Sequence, residues 1–438
     1  MVSTTPPSGF RDFVLDDARL RFALIQKISD VYQRHGFGPL ETPALENLNV
    51  LLGSGGGEEN EKLIFKVMKR GDKLKQALSQ GEDAIADFGL RFDLTVPLSR
   101  VVAEYRGQLQ FPYKVYHIGP VWRAERAQKG RFREFIQCDV DIVGSKSWAA
   151  EVEVIQAVVT AIHEIGASGF ELRINDRRLL QAVGRSLGLS ESEFGSFAIL
   201  LDKKDKLEPN DLLSEIKEFL GSRMNPMVEK ILREQMSLQD FMGLDESVTV
   251  ELKKLIETIE SLNLPLDRVV FDPSLVRGIG YYTGAVFELR HSSAGYSFGG
   301  GGRYDKLIGR FSKDSLPACG FSIGFERLFL LLKENHDVMK ADYSTGVFFP
   351  VFSETLRGAT LALATQLRKK NIPVDCYADE APLKKQFKYA SDRHFEWAVI
   401  AGDAEIKSRV FKIKNLKTNS ESSISEADLL SGSWFYKK

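Results

Sequence analysis

The sequence predicts an α+β body built around strands, interrupted by a helical insertion and followed by a small α/β domain. Three observations carry that reading. Two distant segments, LRFDLTVPL (residues 90–98) and IQCDVDIV (136–143), alternate polar and apolar residues with the period of a strand. Residues 176–264 are rich in Leu, Glu and Lys and show helical spacing in LLSEIKEFLGSRM and TVELKKLIETIESLNL. Beyond residue 343 strand and helix patterns take turns, as in a βαβα unit. At 438 residues the length suits about three domains of roughly 150 residues each. The boundaries expected are 1–175 with 265–340 for the body, 176–264 for the insertion and 343–438 for the tail.

Taken in order, Leu20, Leu24, Ile28 and Val31 recur at helical spacing behind Asp16 and Asp17, and Gly36 closes the pattern, so 17–35 reads as an amphipathic helix. Pro39 and Pro43 in FGPLETPALE permit an edge strand and exclude a central one. GSGGGEENEK (53–62) reads as a flexible loop, lacking the GxxxxGK[ST] spacing of a phosphate-binding loop. In LRFDLTVPL the polar members are Arg91, Asp93 and Thr95; in IQCDVDIV they are Gln137, Asp139 and Asp141. The solvent face of any sheet could look like this. Two such faces, each near arginines, point instead to a cleft lined by strands. After the insertion, strand signals resume at DRVVFD, YYTGAVFELR and SAGYSFGG, and GFSIGFERLFLLLKEN runs from strand into helix. The tail reads as a mainly parallel sheet from VFFPVF, PVDCYA, WAVIAG and VFKIKNL with helices between.

Composition narrows the function. Hydrophobic residues make up 43%, ample for packed cores. Lys and Arg total 59 against 60 for Asp and Glu, so the whole chain does not advertise a polyanionic partner. From Tyr343 onward there are 15 basic and 11 acidic residues, a balance of +4 that leaves −5 for the rest. A mildly basic tail permits contact with nucleic acid and is equally an ordinary solvated surface. Cys138, Cys319 and Cys376 form no CxxC pair, so neither a disulfide framework nor a zinc site is expected. With no secretion signal in MVSTTPPSGF and no run of about 18 apolar residues, a cytoplasmic protein without membrane contact is expected.

Two arginines focus the chemistry. Arg277 stands in SLVRGIGYYTGAVFE and Arg123 in VWRAERAQKGRFREFIQCDVDIVG, and planar guanidinium groups suit reactions that gather several negative charges.

LVRGIGYYTG, GGRYDKLIG, GFRDF near residue 10 and the RAERAQKGRFREFIQCDVDIVG segment together resemble the class II histidyl-tRNA synthetases, from residue 10 into the tail and least within the insertion. The resemblance implies an antiparallel catalytic sheet flanked by helices, a C-terminal α/β anticodon-binding domain, and an enzyme that activates histidine with ATP and Mg²⁺ and then esterifies tRNA(His). It implies Arg277 and Arg123 as catalytic residues on either side of the α-phosphate. Asp93, Leu94, Thr95, Arg123, Gln137, Asp141, Arg277, Tyr281 and Tyr282 would bind histidine. Arg123, Glu125, Arg131, Phe135 and Arg327 would bind ATP, with Phe135 stacked on adenine, and Arg126 and Gln128 would touch the tRNA acceptor end. No protein-held metal and no zinc is implied, and a homodimer is. Two departures stand out: RGIGYY here replaces RGLDYY of many relatives, so Gly280 supplies no carboxylate, and Ala127 replaces a proline. The alternative reading is a non-catalytic synthetase-like paralogue, of the kind that regulates ATP phosphoribosyltransferase; a tRNA-sensing module without adenylate formation is the third.

Overall fold

The computed structural model describes residues 2–53, 61–81, 84–126, 130–205, 207–277, 280–292, 294, 296–334 and 346–436. The chain divides into two compact units, Met1–Met339 and Lys340–Lys438.

The first unit opens with the helix Leu15–Arg34, which buries Leu20, Leu24, Ile28 and Val31 as their spacing predicts. Gly36 follows the helix at φ +80°, where a side chain is disfavoured and its amide can cap the Gln33 carbonyl. Two short strands come next, β1 (Gly38–Pro39) and β2 (Leu45–Asn47), then β3 (Lys66–Met68) and β4 (Ala86–Leu90). The long pair β5 (Tyr113–Trp122) and β6 (Glu134–Val143) is followed by β7 (Phe170–Asp176), β8 (Arg268–Phe271), β9 (Ala285–His291), β10 (Ser297–Arg303) and β11 (Ala318–Gly324).

Eight of these strands form one sheet in the order β1-β5-β6-β11-β10-β9-β7-β8. Its interior pairs are antiparallel, as expected, while both outermost pairs, β1 with β5 and β7 with β8, are parallel. The proline-bearing β1 sits at the edge, where a missing amide proton costs nothing. The helix Ala149–Glu164 is apolar nearly all round, burying Val154, Ile155, Ala157, Val158, Val159, Ala161 and Ile162, and packs between the first helix and the sheet. Between β7 and β8 every regular element among the described residues is helical, from Arg177 to Ser261.

The LRFDLTVPL segment is not a single strand. β4 ends at Leu90 and the helix Thr95–Glu104 begins five residues later. Asp93 accepts the Val96 amide at 3.1 Å, and Pro97 falls in the first turn, where its lack of an N–H leaves no hydrogen bond unmade. A local cap thus overrode the apparent alternation.

In the second unit the sheet order is β13-β12-β14-β15-β16, with β12 (Val347–Phe349), β13 (Val374–Cys376), β14 (Trp397–Ile400), β15 (Val410–Asn415) and β16 (Glu421–Ser425). The expected βα alternation is present, but the sheet is not mainly parallel. β12 pairs parallel with β13 and β14, whereas β14–β15 and β15–β16 are antiparallel. β16 is polar on its exposed residues and so left no apolar rhythm to read. One face packs Val347, Phe349, Leu363, Leu367, Val399, Phe411 and Ile413, and the other packs Phe348, Ala390, Phe395 and Ala398. Buried Gln386 joins the layers, accepting the Val351 amide and donating to the Val351 and Ala381 carbonyls, each at 2.8 Å.

Candidate active site

Residues opposite one another in an antiparallel ladder share a face of the sheet. Arg173, Glu288, Gly300, Ser322, Asp139 and His117 therefore form one row across β7, β9, β10, β11, β6 and β5. Gln137 and Asp141 flank Asp139 at the strand period, and the three are only 7%, 4% and 3% exposed in the order Gln137, Asp141, Asp139. The solvent-face reading of this strand is thus excluded: all three side chains are buried.

Glycines on β10 and β11 make room above that row. A Cβ on Gly300 would lie 1.9 Å from Arg277 Nη1, and one on Gly320 would lie 1.8 Å from Asp141 Oδ1. Neither position can carry any side chain while those groups stay where they are.

Arg277 donates from Nη2 to Ser297 Oγ at 2.9 Å and pairs with the buried Glu288 carboxylate at 3.0 Å. The Ser297 carbonyl accepts from Arg327 Nη1 at 2.5 Å, and Arg327 also donates from Nε to the Gly130 carbonyl at 3.2 Å. One serine, at a register shift in the β9–β10 ladder, therefore holds two arginines. Burial, followed by the charges of Arg131, Arg277 and Arg123, lowers the Arg327 pKa, so four guanidinium groups stand within electrostatic reach of one another's neighbourhood. Arg123 is fixed by its Nε to the Phe92 carbonyl at 3.0 Å and lies 5.0 Å from the Phe135 ring centroid. Such a cluster, with Arg123, Arg277 and Arg327 partly buried and Arg131 exposed, is suited to a polyanion.

The acids respond to the same enclosure. Burial raises Asp93 to about 6 against the opposing pull of the Val96 amide and Arg123. Asp141 is raised to about 7 by burial, opposed by Tyr304, whose hydroxyl donates to Asp141 at 2.6 Å. Asp139 is pushed well above the carboxylate range by burial and by Asp141. Gln137 donates to Ser322 Oγ at 2.6 Å, and its buried Oε1 has no hydrogen-bond partner among the described residues. Tyr281 and Tyr282 are in contact with ring centroids 4.6 Å apart and planes tilted by 57°. Burial pushes Tyr282 up to about 12, and both Arg277 and Asp141 act on it electrostatically, which places it between the cationic and acidic halves.

Several expected residues are less engaged. Glu125 meets Arg131 at 3.4 Å in an exposed pair. The Leu94 side chain is in the core, 1% exposed, and Thr95 is the first residue of its helix rather than a strand neighbour of Asp93. Arg126 is exposed, while Gln128 and Ala127 lie outside the described residues, as do 54–60 of the glycine-rich loop and Gly278. The Gly280 carbonyl accepts from Arg310 Nη2 at 3.4 Å.

Sequence reasoning missed Glu288, Ser297, Ser322 and Tyr304. Tyr304 stands in the GGRYDKLIG signature and could have been singled out there; Asp139 shares the parity of Gln137 and Asp141. Ser297 and Glu288 gave no signal, because their role depends on a strand register that sequence does not display.

Comparison with known proteins adds independent findings. The family described as histidyl-tRNA synthetase matches residues 9–328, and that described as anticodon binding domain matches 347–432. The chain is similar to a histidine–tRNA ligase of Christiangramia forsetii, at 34% identity over 95% of this chain and 96% of that one. Against a histidine–tRNA ligase of Leifsonia xyli subsp. xyli the identity is 40% over 75% and 80%. The fold matches a histidyl-tRNA synthetase crystal structure from Nostoc sp. PCC 7120 with a TM-score of 0.81 and 26% identity, covering 98% of this chain and 99% of that one.

Proposed function

The chain belongs to the histidyl-tRNA synthetase family and is an ATP-dependent aminoacyl-tRNA ligase for histidine, and on that premise we propose how its side chains divide the work. A carboxylate oxygen of histidine attacks the α-phosphorus of ATP, and the bond to the pyrophosphate oxygen breaks, giving histidyl-adenylate. A ribose hydroxyl at the tRNA 3′ end then attacks the carbonyl carbon, and AMP leaves.

Arg123 bridges the α-phosphate and the substrate carboxylate, and Arg277 faces the same phosphorus from the opposite side, stabilising the charge that builds there. A preorganised donor of this kind lowers a barrier by about 3 kcal/mol. Arg327 and Arg131 take the outer phosphates, and Glu125 and Phe135 take adenine. Asp93, Thr95 and Gln137 hold the amino and carboxylate ends of histidine, with the backbone at Leu94 beside them. Asp141, Tyr281 and Tyr282 read the imidazole, whose two ring nitrogens need one donor and one acceptor. The observation that carries this division is the shared attachment of Arg277 and Arg327 to Ser297, next to a floor of buried acids.

Among the described residues no three His, Cys, Asp or Glu side chains gather to hold a metal ion. Mg²⁺ would accordingly arrive on the phosphate oxygens of ATP, in keeping with its reluctance to shed water, and no role for zinc is proposed. The second unit would bind the anticodon, and Arg126 and Gln128 the acceptor end. A homodimer is proposed through the face around Thr42, Pro43 and Glu46, where a cavity of about 580 Å³ adjoins exposed Leu45, Phe88 and Tyr105. No helix among the described residues is long and apolar enough to cross a membrane, and a cytoplasmic location is proposed. The regulatory paralogue is the less supported reading, since it would not need three arginines poised for a triphosphate.

Histidine-dependent exchange of labelled pyrophosphate into ATP tests the reading. Exchange is expected with the pure chain, histidine and Mg²⁺; its absence at saturating substrates would rule out catalysis and leave the paralogue or the tRNA-sensing module.

A further inference from the structure

The arginine assigned to the α-phosphorus stands at the end of an irregular segment, Asp272 to Val276, that is neither strand nor helix yet is almost wholly buried. Something other than a ladder must fix its path. On one side Asn175 donates to the Pro273 and Leu275 carbonyls at 3.3 and 3.0 Å. On the other side the contacts come from the helical region. Lys204, on the 3-10 turn Asp202–Asp205, donates to Ser274 Oγ at 2.5 Å and lies 3.7 Å from Asp272 Oδ1. Ser274 in turn donates to Asp272 from both its hydroxyl, at 2.6 Å, and its amide, at 3.0 Å. Arg173 pairs with the other Asp272 oxygen and with Glu234, each at 2.9 Å, and Lys204 also pairs with Glu234.

We propose that Lys204 is a positioning residue for Arg277, acting through Ser274 and Asp272, so that the helical region between β7 and β8 sets the aim of the catalytic arginine. This rests on the role given to Arg277 above. Two features make the arrangement more than an ordinary ion pair. The node is balanced, with Lys204, Arg173 and Arg268 facing Glu234, Asp272 and Glu171. Removing Lys204 leaves a surplus negative charge beside a carboxylate that is 2% exposed and still held by Arg173 and Ser274, and it takes away the donor that ties Ser274 to the helical region. Burial alone would raise the Asp272 pKa, but Lys204, Ser274 and Arg173 reverse the effect and hold it below its ordinary value. The node also reaches Arg277 from a second direction, because Arg173 stands directly opposite Glu288, the carboxylate that pairs with Arg277. The helical region therefore touches both the backbone that carries the arginine and the strand neighbour of the acid that orients it.

The test is pyrophosphate exchange by the full chain, read as separate kcat and KM values with thermal unfolding alongside. Lys204→Met is expected to lower kcat about tenfold while both KM values stay within about twofold, and Lys204→Arg to recover most of the loss. Ser274→Ala, a milder change, should lower kcat in the same direction. In the double variant Lys204→Met with Arg277→Ala, Lys204→Met should add almost nothing to the loss from Arg277→Ala, since both act through one group. Fully additive losses, a wild-type kcat in a folded Lys204→Met, or a loss that tracks only the folded fraction without rescue by arginine would each overturn the proposal. A normal rate in Arg277→Ala by itself would instead remove the role of Arg277. A collapse in that variant beside normal Lys204→Met and Ser274→Ala rates removes only this inference.

Discussion

The Tyr304 hydroxyl donates to Asp141 at 2.6 Å from inside the core, where Tyr304 is 1% exposed and the carboxylate 4%. Enclosing an acid in this way costs the protein stability once the acid ionises. Its folded pKa, about 7, stands above the ordinary 3.8, so its contribution to stability is full below about pH 3.8 and is lost as pH rises through 7. Asp141→Asn should therefore raise the thermal midpoint at pH 8 and lose that advantage near pH 4, by at most about 4 kcal/mol for a shift of this size. A midpoint that is unchanged or lower at pH 8 would contradict the assigned burial cost.

The same variant tests the imidazole contact. Asp141→Asn should raise the histidine KM at least tenfold and leave the ATP KM within about twofold, measured by exchange, because an amide cannot replace a charge-assisted acceptor. Equal effects on both substrates would mean that Asp141 does not face the ring.

Arg277→Ala should cut the exchange rate by about two orders of magnitude, the counterpart of 3 kcal/mol, with far-ultraviolet circular dichroism unchanged. The substitution leaves Glu288, 4% exposed, with Arg290 as its cationic partner, and Glu288→Gln is a milder companion: it keeps the shape, removes the charge that pairs with the Arg277 guanidinium and should reduce kcat with little change in fold. If Glu288→Gln is fully active, the pair does not aim the arginine.

Deleting residues 343–438 should reduce aminoacylation far more than exchange. The two units have separate cores, so the remaining body should stay folded. Parallel loss of both activities would show that the second unit supports the first structurally instead of holding tRNA.

How much of this was legible in the sequence depended on how local the cause was. The first helix, the strand parity of Gln137, Asp139 and Asp141, and the run of helices between β7 and β8 follow from side-chain periodicity alone. Asp93 and Thr95 were placed on one strand face because three polar residues alternate there; a capping contact to Val96 and an early Pro97 turn the chain into a helix instead. In the tail, the expected mainly parallel sheet is mixed because β15 runs antiparallel to β14 and continues in a hairpin with β16, a short polar strand without apolar rhythm. Ser297 and Glu288 were illegible for a different reason. Their importance comes from which strands are neighbours, and Arg277 reaches them from ten or more residues away along the chain.

The four consecutive glycines of β10 have a consequence for how this gene can vary. A Cβ would meet the Ser322 carbonyl at 2.8 Å from Gly299, the Gly320 carbonyl at 2.0 Å from Gly301 and the Ala285 carbonyl at 2.5 Å from Gly302, besides the guanidinium beside Gly300. Even alanine, the gentlest replacement chemistry offers, intrudes on backbone or on the working arginine at every one of them. A saturation library should show a gap four codons wide there, bare of tolerated alleles.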